Sequence, residues 1–413
     1  MSAEPSAVAE AVPTVPRETL GRLFLRFLRF GALAWGGPVA QIAMIRQELV
    51  EEEHWVSREQ FNRVLALYQV LPGPEAHELC VYFGMLSRGR IGGMLAGLGF
   101  MLPGFVLMFL FSWLYVRHGL QASGPVAPIF AAVQAAVAAL IVRAVHRIGS
   151  HALTDRWLWV IALLATGAQL LSVHFAISLF VGGALYLAVR STRPAIALAF
   201  VGLCGSVLLG WILLQGSEGA GSEVILTDSG QLASAEPSLL QLWLSGLKAG
   251  ALTFGGAYTV IPFLQHDAVS VGAWMTNDQF LDGLALSGLL PAPLIIVATF
   301  VGFLGGGAVG ALVLTVAIFL PAFAFTLLVH DPLERLVAQP RVRAFLDGVT
   351  AAVVGLIVGT TIALVRASIT DIQTALIFLL ALAALFYWHA KLLVPAVIAG
   401  AALWGFAQAA AGL

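Results

Sequence analysis

The chain has 413 residues, 60% of them hydrophobic and only 10% charged, with a mean hydropathy of +0.93. A soluble globular domain carries about a quarter charged residues, so this composition points to an all-α polytopic membrane protein. A net charge of −1 without any basic tract argues against nucleic acid as a partner.

The first 18 residues are rich in Ala, Glu, Pro and Val. They lack a basic segment followed by an apolar core, so they read as a disordered tail and not as a cleaved signal peptide. An amphipathic start, Leu20 to Phe30, carries Arg22, Arg26 and Arg29. A short span with Gly31 and Gly36-Gly37-Pro38 follows and ends near Arg46, ahead of a charged connection to Glu59. Apolar runs then cover 61–86, 91–116, 126–146, 157–172, 174–190 and 194–214. Residues 215–238 are polar and acidic, without Lys or Arg, and form the best internal boundary. Beyond it lie runs at 240–264, 279–303, 304–329, 345–366, 371–387 and 391–411. The count is thirteen, although several runs are shorter than the roughly 20 residues that cross a bilayer. The division expected is a tail (1–18), a first repeat with a linking span (19–214), an acidic periplasmic loop (215–238) and a second repeat (239–413). Cys80 and Cys204 lie in apolar runs and read as packing residues, not a disulfide or metal site.

The stretch Leu71-Pro72-Gly73-Pro74-Glu75-Ala76-His77-Glu78 interrupts helix-forming sequence. Two prolines this close cannot sit inside a regular helix. In lipid, freed backbone groups are tolerated where they are buried in protein or line a cavity. The expectation is a broken membrane helix over 61–86, restarting at Pro74, with bare N–H groups that attract anions.

The two halves repeat each other. At an offset of 219 positions, Gly36-Gly37 falls on Gly255-Gly256, Trp55 on Trp274, and Gln60-Phe61 on Gln279-Phe280. Pro72 and Pro74 fall on Pro291 and Pro293, with Ala292 in place of Gly73. Internal duplication follows. Ser57-x-x-Gln60 and Thr276-x-x-Gln279 both fit a capping box. Basic residues fix orientation: with the N-terminus cytoplasmic, Arg88, Arg90, Arg143, Arg147, Arg156, Arg190, Arg193, Arg335, Arg341, Arg343 and Lys391 face the cytoplasm, and the C-terminus is periplasmic. The basic loops alternate oppositely in the two halves, which predicts inverted repeats of the kind secondary transporters use. The connection 46–63 falls outside in this count although it carries Arg46, Arg58 and Arg63. A re-entrant first span would change the parity.

Phe30-Gly31, Trp35-Gly36-Gly37-Pro38, Leu71-Pro72-Gly73-Pro74-Glu75-Ala76 and Leu102-Pro103-Gly104-Phe105 resemble the first half of the chromate ion transporter family. Thr253-Phe254-Gly255-Gly256-Ala257-Tyr258 and Pro291-Ala292-Pro293-Leu294-Ile295 resemble its second half. The resemblance covers nearly the whole chain in the long, two-repeat bacterial form. It implies efflux of chromate across the inner membrane, with sulfate as the natural look-alike, and proton coupling.

A midplane oxyanion site is expected between the breaks, built from Pro72, Gly73, Pro74, Pro291 and Pro293 and the turns at Gly36, Gly37, Gly255 and Gly256. The glycines serve equally as close-packing positions between helices. Arg29, Arg46 and Lys248 are candidates to supply positive charge; the alternative is that Arg29 and Lys248 snorkel to headgroups. Glu75, His77 and Glu78 are candidates for proton coupling, because a carboxylate inside a span is costly and so a functional candidate. The alternatives are an acid paired with an arginine such as Arg46 and a hydrogen-bonded core histidine. Trp55 and Trp274 read as interfacial anchors, and Arg335, Arg341 and Arg343 as topology determinants. No metal site, cofactor or catalytic residue is expected, and the partners are a small oxyanion, lipid and, left open, a second copy of the chain. A transporter of sulfate or another oxyanion, with uptake as an open direction, is the nearest rival. A membrane enzyme lacks any nucleophile-and-base motif here. A non-transporting scaffold leaves duplicated helix breaks without a purpose.

Overall fold

The computed structural model describes residues 15–35, 37–119, 127–171, 173–190, 237–254, 256–388 and 393–411. Among these the fold is helical, with one isolated antiparallel bridge, Pro72 to Phe254. Five helices are long and apolar enough to cross a membrane, and three shorter apolar ones accompany them. Gly36, Gly255, Cys204, the tail before residue 15, the apolar run at 194–214 and nearly all of the acidic segment lie outside the described residues.

The first half opens with α1 (Leu20–Ala32) and α2 (Gly37–Arg46), which runs on through a wider π-helical turn, Gln47–Glu52. Arg26 bonds both Glu48 and Glu53, and Arg29 bonds Glu48. These bonds tie the body of α1 to the far end of α2, so the two helices form a hairpin with its tip at Leu33–Gly37. Next come α3 (Arg58–Tyr68) and α4 (Glu75–Arg117), and here the structure departs from the expected broken span. Phe61 and Phe83 stack 6.3 Å apart, and the Gln60 amide donates to the Tyr82 hydroxyl at 2.9 Å. A chain continuing in one direction would separate residues 60 and 82 by about 33 Å. The chain folds back at the break instead, and Pro72–Pro74 form a hairpin tip.

A second reversal lies within α4. Arg88 and Gly89 leave helical geometry, Gly89 at φ +62°, a region favourable to glycine alone. A methyl group on Gly84 would come within 2.5 Å of the Gly92 carbonyl oxygen, whereas eight residues of straight helix span about 12 Å. The arm Glu75–Ser87 therefore returns to the base of the hairpin, where the Ser87 hydroxyl donates to the Pro16 carbonyl. The long arm after Gly89 then leads away.

The second half repeats this construction, with short 3-10 turns at Ala257–Val260 and Leu294–Ile296 opening two of its helices. Its elements are α8 (Leu239–Ala251), α9 (Ile261–Gln265) with the π turn His266–Val271, α10 (Asn277–Gly288) and α11 (Val297–Leu328). The π turns are displaced by 219 positions, as are the left-handed residues His54 and Ala273. The folded-back glycine Gly307, at φ +58°, matches Gly89. Lys248 bonds Asp267 at the positions equivalent to Arg29 and Glu48. Thr276 and Gln279 complete a capping box. At Ser57 only half of it forms, because the Gln60 side chain is drawn away to Tyr82.

Between these units run α5 (Ala127–Ala152), α6 (Arg156–Leu170), α7 (Phe175–Arg190), α13 (Pro340–Ser368), α14 (Ile372–Tyr387) and α15 (Leu393–Ala411); the short α12 (His330–Val337) precedes α13. Small residues set their packing: a methyl on Gly348 would lie 2.4 Å from the Gly182 carbonyl oxygen, and one on Gly355 2.2 Å from that of Ala162. Lipid tails give no hydrophobic drive between helices, so close backbone approach of this kind carries much of the association. Leu163, Phe180, Leu376 and Leu380 are exposed on the outer faces, as lipid contact requires. Trp55 is not an exposed anchor. It is buried, donates to Glu53 and carries Arg26 over its ring, closing the base of the first hairpin pair.

Candidate functional site

The tips of the two halves meet. The N–H of Gly73 donates to the Thr253 carbonyl at 2.8 Å, which places the first proline break against the glycine turn of the second repeat. Gly256 adopts φ +115°, a conformation nearly restricted to glycine, and its Cα hydrogen side faces Glu75. A methyl group there would lie 3.8 Å from both Glu75 carboxylate oxygens. Gly37, at φ +78°, faces the Tyr258 hydroxyl in the same way at 3.9 Å.

These four residues share the wall of one cavity of about 2130 Å³. Glu75 opens the returning arm of α4, and the first N–H groups of a helix have no intrahelical acceptor. Pro74 precedes them in extended geometry and keeps α3 from continuing into that arm. The half-helix thus presents a partial positive charge toward the cavity. Opposite stand Arg143 and Arg147, one turn apart on α5, both lining the cavity. Arg147 lies within electrostatic reach of Glu75 and Tyr258, and Arg143 within reach of Tyr258. Neither arginine has a hydrogen-bonded acid partner among the described residues. Farther out, Arg190, Arg341 and Arg343 line the same cavity, with Asp347 between Arg343 and Arg190.

The remaining residues expected at the site fall into separate groups. Pro72, Gly73 and Pro74 are buried at the tip behind Glu75. Pro291 and Pro293 form the opposite tip, also buried. There Gly104 makes room for Ala292: a methyl on Gly104 would sit 2.4 Å from the Ala292 side chain. Glu78 is fully buried, its carboxylate against Gly73 and without a hydrogen-bond partner. His77 is fully buried between Phe319 and Phe323. Neither lines the cavity. Arg29, Arg46 and Lys248 do not line it either. They sit at hairpin bases, bonded to Glu48, Glu51 and Asp267. At the same base a hydrogen bond from Arg58 holds the Glu51 carboxyl below its ordinary range.

The cavity-lining cations beside Glu75 and Tyr258 are thus Arg143 and Arg147, which the sequence suggested only as markers of orientation. A usable signal was present. Arg143 falls inside an apolar run, where an arginine is expensive and a functional candidate by default, and Arg147 follows at i+4 on the same face.

Comparison with known proteins agrees with the duplicated architecture. A family model described as Chromate transporter matches residues 21–211 and 240–406. The chain belongs to the chromate transporter family. A Chromate transport protein of Pseudomonas aeruginosa is 52% identical over 97% of this chain and 94% of its own length. A Chromate transport protein of Cupriavidus metallidurans is 33% identical over 97% and 96%. An uncharacterized transporter of Bacillus subtilis is 32% identical over 33% of this chain and 68% of its own length. No solved structure matches. The family and the relatives are transporters and not enzymes.

Proposed function

We propose that this protein exports chromate from the cytoplasm, binding the tetrahedral oxyanion where Glu75, Gly256 and Tyr258 face Arg143 and Arg147. The convergence on one cavity of a half-helix N-terminus, a glycine turn from the other repeat and two arginines with no acid partner among the described residues carries this reading. Backbone N–H groups and guanidinium forks suit the oxygens of such an anion, and the outer arginines attract it into the cavity.

The hairpins give a topology in which the basic residues agree. If the pairs α1–α2 and α3–α4 arm enter and leave on one side, then Arg46, Arg58 and Arg63 lie beside Arg88 and Arg90, on the cytoplasmic face that positive charge selects. Their counterparts in the second half then open to the periplasm, so the repeats are inverted. Thirteen apolar runs become nine crossings and four re-entrant hairpins, counting the run at 194–214 as a crossing. The N-terminus is cytoplasmic and the C-terminus periplasmic in the inner membrane, with 19–214 and 239–413 as the repeat units on either side of the acidic periplasmic segment. The cavity, lined by Arg147, Arg190, Arg341 and Arg343, opens to the cytoplasm. Export would confer chromate resistance.

Flux of radiolabelled chromate into inverted membrane vesicles, with and without excess sulfate, tests the reading. Chromate uptake that resists sulfate is the expected result. Uptake of sulfate in preference to chromate, or flux only in the opposite direction, would replace it with a sulfate or uptake carrier.

A further inference from the structure

We propose that the Glu75 carboxylate is the resident anion of this site, and that a transported oxyanion binds by taking its place. The inference rests on the cavity being the oxyanion site. Four observations lead to it. Glu75 begins the half-helix, and its carboxylate lies against its own N–H, one of the helix-start donors that an anion would use. The same carboxylate faces the open backbone of Gly256. It lies in the field of Arg147 but forms no ion pair within 4.0 Å among the described residues. In the second repeat the equivalent position is Leu294, so a carboxylate is not needed to build such a tip.

A carboxylate and a tetrahedral oxyanion ask for the same partners: N–H groups at a helix start and a nearby guanidinium. Both cannot hold them at once, and two like charges at this separation repel. The charged groups within reach of Glu75 are Arg147 on α5 and Glu78 one turn along its own arm, and Arg143 and the Tyr258 hydroxyl lie beyond Arg147 on the same cavity wall. Glu78 is buried with no partner, so any charge on it adds to the repulsion. A proton arriving at Glu75 removes the competing charge, frees the N–H groups, and turns the side chain into a donor for an oxyanion oxygen. Anion binding is then linked to uptake of a proton at this residue. The proton leaves when the anion departs and the carboxylate returns to the helix start.

The test is equilibrium binding of radiolabelled chromate to the purified full-length protein in lipid nanodiscs, from pH 6 to pH 8, with wild type and variant compared at each pH. Wild-type affinity is expected to fall by up to about tenfold per pH unit, the limit for one linked proton. Glu75→Gln keeps the shape and removes the charge. It is expected to bind at least tenfold more tightly than wild type at pH 8 and to lose most of the excess pH dependence. Glu75→Asp retains a charge and is expected to keep that dependence, which separates charge from a change of packing. Weaker binding by Glu75→Gln at every pH, or a profile parallel to wild type, would overturn the inference while leaving the site intact. Arg147→Gln isolates the underlying reading: chromate bound by wild type and equally well by Arg147→Gln would mean that the anion sits elsewhere, and both readings fail.

Discussion

Gly73 and Thr253 join the two repeats through one backbone hydrogen bond of 2.8 Å, and the symmetry-related bond is missing. Its partners would be Ala292 and Ala34. The N–H of Ala292 instead donates to Leu290 within its own turn at 2.9 Å, and the Ala34 carbonyl accepts from the Gln41 side chain. The cavity borders both places: Leu33, Trp35 and Gly37 line it beside the untied tip, and Val70, Glu75 and Gly256 beside the tied one. A bond made in one place and not at the equivalent place breaks the symmetry of the two repeats, and a carrier alternating between two states would exchange them.

The opposite state should close Ala34 onto Ala292 and part Gly73 from Thr253. In a background with Cys80 and Cys204 both replaced by Ser, the double variant Ala34→Cys, Ala292→Cys is expected to cross-link under oxidant during turnover, to lose chromate flux when oxidised, and to regain it on reduction. Saturating chromate should change the cross-linking rate. A cross-link that forms while flux continues unchanged would show that these tips do not move in the cycle.

Arg29, Arg46 and Lys248 look like site cations in the sequence because each neighbours a motif, but each ends in an ion pair at a hairpin base. Arg29→Gln and Lys248→Gln are therefore expected to leave the chromate KM within about twofold. Their cost is structural and small, since partly exposed pairs contribute about 0–1 kcal/mol. Arg147→Gln is expected to raise KM at least tenfold, the equivalent of about 1.4 kcal/mol. Vesicle flux at matched protein level compares the three. A KM effect as large for Arg29→Gln as for Arg147→Gln would return the charge to the hairpin base.

Much of this was legible in the chain. The split prolines, the double glycines and the aligned tryptophans announced the duplication, because each constrains the backbone locally and survives in register. The fold-back did not announce itself. Hydropathy measures whether a segment sits in an apolar medium, and 61–86 does so whether it crosses or returns. What decides is the contact of Phe61 and Gln60 with Phe83 and Tyr82, which are distant in sequence. The anomaly of Arg46, Arg58 and Arg63 was the visible trace of it. The site cations were missed for a related reason. A basic residue near a helix end serves topology or ligand equally well, and only the cavity wall separates Arg147 from Arg58.

The hairpins make a direct statement about sidedness. With Cys80 and Cys204 both replaced by Ser, single cysteines at Ser57 and at Arg88 should react with an impermeant maleimide from the same side, the cytoplasmic one. Cysteines at Thr276 and at Gly307 should react from the periplasm. A fully crossing 61–86 would place Ser57 and Arg88 on opposite sides, so this pair alone decides between a broken span and a re-entrant one.

The driving force follows from charge. Moving one charge through 100 mV is worth about 2.3 kcal/mol, so a dianion leaving a negative cytoplasm gains roughly 4.6 kcal/mol. At about 1.4 kcal/mol per tenfold, that sustains a gradient on the order of 10³. A proton carried out with the dianion leaves one net charge and lowers the limit to roughly 40-fold per 100 mV by the same conversion. Potential alone is then sufficient in either case, and the size of the gradient reports whether the Glu75 proton travels with the anion. The measurement is chromate accumulation in inverted vesicles under an interior-positive potassium diffusion potential, with pH clamped equal on both sides. Accumulation should rise with the potential, more steeply in Glu75→Gln if the wild type carries a proton along. No accumulation until a pH gradient is imposed would show that export is obligatorily proton-driven.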